Sequence, residues 1–206
     1  MQAMEALCAE IRACQKCDLG RGRTNAVPGE GPVPARIMFI GEGPGYHEDQ
    51  QGRPFVGAAG QYLSELLGRI GLRREDVYIT NVVKCRPPRN RDPLPEEIEA
   101  CQPYLDRQIA LVQPAIIVTL GRYSMARYFP GQSISRIHGV PKYVGGIWCF
   151  PMFHPAAGLH QPRYRTMIEE DFQKLAKLLK DLEHAPKAEE ESGPPAPPPA
   201  QQLSLF

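Results

Sequence analysis

The chain has 206 residues, 42% of them hydrophobic, which suits one α/β domain with a sizeable core plus a tail. No apolar run reaches membrane-spanning length, which excludes a transmembrane helix, and the opening MQAMEALCAEIRAC lacks the apolar stretch of a signal peptide. The net charge of +1 divides unevenly: four glutamates against one lysine from Glu183 onward leave Met1 to Leu182 at about +4, which permits a polyanionic partner without requiring one.

Residues 3–13 alternate charged and apolar side chains like an amphipathic helix that ends near Cys14. CQKC, Cys14 to Cys17, opens a Gly/Pro-rich connection to about Pro34. Arg36–Gly41 predicts a first buried strand, and Gly57–Ile70 a core helix after a long loop. Val77–Asn81 predicts a second strand, followed by the basic loop VVKCRPPRNRDPLP. Pro95–Val112 starts with proline and acids, as a helix N-terminus prefers, and Pro103 predicts a kink or a break within it. Ala115–Gly121 predicts a third strand with a helix after it to about Phe129, while 130–145 reads as irregular. Gly146–Phe153 predicts a fourth strand running into HPAAGLHQPRYR. A last helix is expected from Thr166, capped through a box with Glu169, to about Leu182.

Strands alternating with helices predict an α/β fold: three α/β/α layers around a mainly parallel four-stranded sheet. That body is expected over 1–182. Residues 183–200, acidic and Pro-rich, are expected to be a disordered linker before 201–206, QQLSLF. The expected setting is cytoplasmic. In a reducing compartment six cysteines argue for a metal site or buried thiols over disulfides.

The chemistry concentrates in the loop Gly41–Gly57, GEGPGYHEDQQGRPFVG. Such a loop at the carboxyl end of a strand is where open α/β sheets bind ligands. Its glycines let backbone N–H groups approach a ligand, and Glu42, Glu48 and Asp49 offer general-base chemistry. The spacing G-x-G-x-G is not the dinucleotide fingerprint G-x-G-x-x-G. Cys14, Cys17, Cys85 and Cys101 are candidate ligands of one centre, and four thiolates suit zinc and an iron–sulfur cluster equally. Cys8 and Cys149 read as buried thiols. Asn81, at a strand end, carries an acceptor and a donor side by side, the complement of an imide edge. Lys84, Arg86, Arg89 and Arg91 form a basic cluster that could meet phosphate. His154 is a candidate hydrogen-bond donor to a leaving group.

Together these stretches resemble the family 4 uracil-DNA glycosylases, the iron–sulfur branch of the uracil glycosylase superfamily. The family's G-E-A-P-G, E-D and G-x-P-F-V-G elements are matched by Gly41 to Gly45 (with Gly43 for alanine), Glu48-Asp49 and Gly52 to Gly57. Its T-N-V-V-K-C-R-P-P element is present as Thr80 to Pro88, and its H-P motif as His154-Pro155. The resemblance implies a monofunctional DNA repair enzyme, a monomer, that flips uracil out of DNA and hydrolyses its N-glycosidic bond.

By the same resemblance Phe55 stacks on the base, Asn81 reads its edge, and His154 with main-chain N–H groups of Gly41 to Gly45 stabilises the departing uracil. The catalytic pair is expected to be Glu42 and His154. Glu42 is expected to hold the attacking water, because Gly43 stands where the best-known branch has an aspartate. Uracil binding is expected from Gly41, Gly43, Glu48, Phe55, Asn81 and His154, with Tyr46 or Glu48 excluding thymine. The four paired cysteines match ligands of a [4Fe–4S] cluster. Lys84, Arg86, Arg89, Arg91, Leu159 and Arg163 are the expected DNA contacts. Gln202, Leu203, Leu205 and Phe206 resemble the peptide by which bacterial repair proteins bind the sliding clamp, and the expected setting is the bacterial cytoplasm, in association with the nucleoid. The alternative reading is a non-catalytic Fe–S or zinc DNA-binding adaptor tethered to that clamp; a third is a nucleotide-binding α/β enzyme.

Overall fold

The four apolar runs form four parallel strands: β1 (Ile37–Gly41), β2 (Tyr78–Asn81), β3 (Ile116–Leu120) and β5 (Ile147–Met152), with a short β4 (Lys142–Val144) beside β5. The structure, a computed structural model, describes residues 2–184. The sheet order is β2-β1-β3-β5-β4, and only β4 runs antiparallel. β1 and β3 are buried along their whole length because helices cover both faces.

Alternate strand residues feed two cores. Phe39, Val118 and Phe150 pack against α4 (Ala58–Arg69) and α9 (Pro162–His184), through Leu63, Leu67, Phe172 and Leu175. On the other face Met38, Ile40 and Ile117 meet α1 (Gln2–Ala13) and α5 (Pro95–Val112), through Leu7, Ile11 and Leu105. The apolar residues of α1 recur at helical spacing, Met4, Leu7 and Ile11, and all three are buried. Short helices α2 (Leu19–Gly22), α3 (Tyr46–Gln51), α6 (Arg122–Ala126), α7 (Ile134–Ile137) and α8 (Pro155–His160) fill the connections.

The three-layer expectation holds, with one strand more. The region 130–145, expected to be irregular, contains α7 and β4. Gly145 and Gly146, at φ +57° and +86°, make the two-residue turn that folds β4 onto β5. α5 runs unbroken through Pro103. That proline sits on the exposed face, where water can serve the carbonyl left without an N–H partner. α9 starts at Pro162, four residues before Thr166, with proline in the first turn as helices favour. The capping box is absent: Thr166 Oγ1 donates to Pro162 O (3.4 Å), and Glu169 pairs with Arg69 and Arg165. Among the described residues no helix is long and apolar enough to cross a membrane. Most of the linker at 183–200, and all of 201–206, lie outside the described residues.

Candidate active site and cysteine cavity

At the carboxyl ends of β1, β2 and β5 a cavity of about 310 Å³ opens, walled by Glu42, Gly43, Glu48, Phe55, Asn81 and His154. The parallel register pairs Gly41 with Asn81. A Cβ on Gly41 would lie 2.4 Å from Asn81 Oδ1 and 2.6 Å from Phe55 Cζ, so only glycine lets both side chains close over the strand end. Asn81 is 1% exposed, and its Oδ1 has no hydrogen-bond partner among the described residues. A buried acceptor left unpaired costs free energy; Thr119 Oγ1 and Tyr128 OH are likewise unpaired among the described residues, but of the three only Asn81 lines the cavity.

Phe55 is held in the left-handed region, at φ +51°, a strained conformation for an aromatic residue. Arg74 holds it there from the short helical turn Arg74–Asp76. Its guanidinium donates to Phe55 O (2.8 Å) and to Pro54 O, while Nε is anchored on Glu30 Oε1 (2.7 Å). Gly60 completes the clamp, since a Cβ there would fall 1.8 Å from Phe55 O. The Phe55 ring ends up facing that of His154, with centroids 5.5 Å apart and 26° between planes.

The three loop carboxylates have separate tasks. Glu48 ties the two arms of the loop together: Oε1 accepts from Val56 N (2.9 Å) and Gly57 N (2.8 Å), and Oε2 from Gly45 N (3.1 Å). The Gly45 N–H expected to face the departing base is therefore occupied. Asp49, 3% exposed, accepts from Thr24 N (2.9 Å) and pins the connection that precedes β1. Glu42 Oε1 accepts from Arg122 N (3.1 Å) at the start of α6. Burial raises the Glu42 pKa, against the lowering effect of the Tyr123 N–H and the Arg122 charge.

His154 caps α8, its Nδ1 accepting from Ala156 N (3.2 Å). Burial pushes its pKa down to about 4, against the opposing charge of Glu48. The ring is neutral near pH 7, and with Nδ1 accepting, Nε2 carries the proton. His154 therefore presents a neutral N–H donor on the cavity wall.

A second, narrow cavity is walled by Cys14, Cys17, Cys85 and Cys101 together, along with Arg23 and Lys84. Arg23 Nη1 donates to Cys85 Sγ (2.9 Å), and main-chain N–H groups of Lys16 and Lys84 reach Cys14 Sγ (3.5 Å) and Cys101 Sγ (3.4 Å). Among the described residues no three Cys, His, Asp or Glu side chains converge as ligands of a single ion. The donor set is nevertheless all thiol, in one cavity, beside the Arg23 guanidinium and the Lys84 amine, whose pKa burial lowers to about 7. It fits a multi-iron, four-thiolate cluster, whose ligand sulfurs need not touch one central atom and whose negative charge the Arg23 guanidinium offsets. Of the remaining cysteines, Cys149 is buried as expected and Cys8 only partly.

The model of the uracil DNA glycosylase superfamily matches residues 28–183. The type-4 uracil-DNA glycosylase of Sulfurisphaera tokodaii is 52% identical over 188 residues, 86% of each chain. That of Saccharolobus solfataricus is 50% identical over 190 residues, covering 87% of this chain and 88% of its own. That of Thermotoga maritima is 45% identical over 184 residues, covering 87% of this chain and 96% of its own. The chain belongs to the uracil-DNA glycosylase superfamily.

Within this glycosylase fold the expected site residues divide. Glu42, Gly43, Glu48, Phe55, Asn81 and His154 converge on one cavity, and Gly41 lies behind it. Of the two candidates for excluding thymine, Glu48 lines the cavity; Tyr46 is 53% exposed outside it, under the Arg86 guanidinium at 5.1 Å. A Cβ at Gly43 would meet Val83 Cγ2 at 2.8 Å, so the glycine permits close packing of loop on strand end.

Lys84 is a correction: it does not face phosphate but is 1% exposed, its ammonium bonded to Asn81 O (2.6 Å) and Thr80 Oγ1 (2.7 Å). Arg91 is paired bidentately with the buried carboxylate of Glu97 (2.6 and 2.9 Å). Arg86 bonds Asn90 Oδ1 (2.7 Å), and Arg89 is exposed. Leu159 is 42% exposed, and its neighbour Gly158 is buried against Tyr62. Arg163 lies on the Tyr164 ring at 4.6 Å. Sequence reasoning missed Asn90 and Asp92 on the cavity rim, and Arg74 behind Phe55. Consecutive left-handed residues at Arg89 and Asn90 turn that rim inward, a signal the residue types alone do not carry.

Proposed function

We propose that this chain is a monofunctional uracil-DNA glycosylase of the type-4 group. It flips uracil out of DNA and hydrolyses the N-glycosidic bond, leaving an abasic site for base-excision repair. The observation that carries the reading is the buried, unpartnered Oδ1 of Asn81 on the cavity wall. Uracil N3–H supplies the missing donor, and Asn81 Nδ2 donates to O4. Phe55 stacks on the flipped ring, whose extrusion costs a few kcal/mol, less at a mismatch. Glu48 fixes the loop and narrows the pocket against thymine's methyl group.

As the bond breaks, its electron pair passes to uracil N1 and spreads onto O2, where the neutral His154 Nε2–H donates. Such preorganised donors contribute most where charge develops. Glu42 orients a water and accepts its proton as the oxygen attacks C1′ of the oxocarbenium-like sugar. Asn81→Asp tests the reading in single-turnover release from an oligonucleotide with one uracil. Replacing the O4-facing donor by a carboxylate is expected to cost on the order of 2–4 kcal/mol, and an unchanged rate would remove Asn81 from the site.

We read Cys14, Cys17, Cys85 and Cys101 as ligands of a [4Fe–4S] cluster that, when bound, supplies a rigid cross-link between segments. Arg86, Arg89, Leu159 and Arg163 remain the proposed DNA-facing set. The clamp-docking peptide Gln202, Leu203, Leu205 and Phe206 is proposed from sequence alone. Truncating residues 202–206 is expected to abolish binding to a bacterial sliding clamp in titration while uracil release from short oligonucleotides is unchanged. A non-catalytic adaptor would have no use for an unpaired buried amide oxygen in one cavity with a neutral histidine.

A further inference from the structure

Lys84 stands between the two cavities. It precedes Cys85 in the chain and walls the four-cysteine cavity. Its main-chain N–H donates to Cys101 Sγ (3.4 Å), and its carbonyl accepts from Val27 N (2.7 Å), so its backbone is fixed on the cysteine side. Its side chain turns back along the chain to the end of β2, where the ammonium donates to Asn81 O at 2.6 Å and Thr80 Oγ1 at 2.7 Å. Thr80 Oγ1 is itself held by donating to Pro28 O at 2.7 Å. The side chain of Asn81 is free for a ligand while its main chain is gripped from behind. A buried amine is tolerated only where its N–H groups find acceptors, so this lysine is held as firmly as it holds.

We propose that Lys84 is a positioning residue for base recognition, setting the Asn81 main chain and thereby aiming the carboxamide into the pocket. The inference rests on the reading of Asn81 as the base-reading residue. It goes further in tying the base pocket to the cysteine cavity through one side chain. Shifts on the order of 1 Å at a positioned group can cost about a hundredfold in rate, so a hold on the backbone at this atom is worth having.

The test is a double-mutant cycle on the iron-loaded protein, with wild type, Lys84→Met, Asn81→Ala and the double variant. It reads single-turnover uracil release, affinity for free uracil, affinity for abasic-site DNA and iron per chain. Lys84→Met is expected to lower both release and uracil affinity about tenfold. Abasic-site DNA affinity and iron content should hold. In the Asn81→Ala background the same change is expected to cost less than about twofold. An equal cost in both backgrounds overturns the proposal. So does loss of iron with unaltered uracil affinity, which would assign Lys84 to the cysteines alone. Wild-type behaviour of Asn81→Ala by itself would instead sink the underlying reading of Asn81. Where Lys84→Met fails to fold, Thr80→Val goes through the same cycle. It keeps the charge and the shape and withdraws one of the two acceptors that seat the ammonium. It is expected to lower uracil affinity about threefold, only when Asn81 is present, and additivity overturns the proposal there too.

Discussion

A histidine that must donate to a developing oxyanion serves best neutral, with the proton on the correct nitrogen. Both conditions follow here from local structure: burial holds the His154 pKa at about 4, and the Ala156 N–H occupies Nδ1. Between that value and the ordinary 6.5, the unfolded chain binds a proton that the native chain does not. This contribution to stability is fully present above about pH 6.5 and is lost as pH falls toward 4. Glu42 titrates the other way, its pKa raised by burial, so a basic carboxylate is lost as pH falls through that raised value. The uracil-release rate is therefore expected to show an acid limb belonging to Glu42, one that Glu42→Gln removes, with no limb from His154 above about pH 5. His154→Ala is expected to lower the single-turnover rate about 10²–10³-fold with little change in DNA affinity, as for loss of one oxyanion donor. Weakened DNA binding at an unaltered rate would make His154 a DNA contact. These residues were legible because their types announce their chemistry. Lys84 was not: within KCRPPRNR it reads as one more solvated cation, and only the turn after β2 folds it inward onto its own strand.

The segment Gly41–Gly57 has little regular structure beyond α3 and is shaped by groups brought from elsewhere. Glu48 closes it from within, and Arg74 clamps its far end in the left-handed conformation at Phe55. Arg74→Met removes two donors to carbonyls and leaves Glu30 with Arg53 alone. The expected result is relaxation of Phe55, with a stability loss of about 1–3 kcal/mol, the scale of hydrogen bonds between charged and backbone groups. Uracil release should fall more steeply than abasic-site DNA affinity, because stacking on the flipped base is lost. Urea unfolding with paired rate and binding measurements checks this, and equal losses in rate and affinity would make the clamp a general fold support. At this scale the sequence was legible where helical periodicity is long, as in α1 and α4, or where a short run is almost wholly apolar, as in β3. It was less so where a signal is short: two of the three residues of β4 are exposed, and the strand needs the Gly145-Gly146 turn to pair at all. Pro103 misled for a different reason, since a proline on the solvent face of a long, otherwise well-packed helix need not break it.

Across the whole molecule, the base pocket uses the carboxyl ends of the strands, while the cysteines gather segments from three places in the chain. Cys14 and Cys17 follow α1, Cys85 follows β2, and Cys101 lies on α5. Without a cross-link, α1 is held by Leu7 and Ile11 in the second core and by the Glu10–Arg107 pair at 2.5 Å, half exposed and hence weak. The connection after it depends on Arg23, bonded to Arg12 O (2.6 Å) and Cys85 Sγ (2.9 Å). Cross-linking residues so far apart in sequence restricts the unfolded chain, an effect of about 3 kcal/mol or more for long loops. Protein purified without oxygen is therefore expected to be brown, with broad absorbance near 400 nm and about four irons per chain. Removing the iron by chelation should lower the unfolding midpoint by roughly 6–12 °C, the shift that 3 kcal/mol produces in a domain of this size. The first new tryptic cleavages should fall at Lys16, Arg21 and Arg23, next to the released cysteines, while the sheet's circular dichroism persists. A colourless protein holding one zinc would replace the cluster. Cleavage that begins instead in the loop of Arg86 and Arg89 would mean that the base pocket's own rim, not the N-terminal segment, depends on the metal.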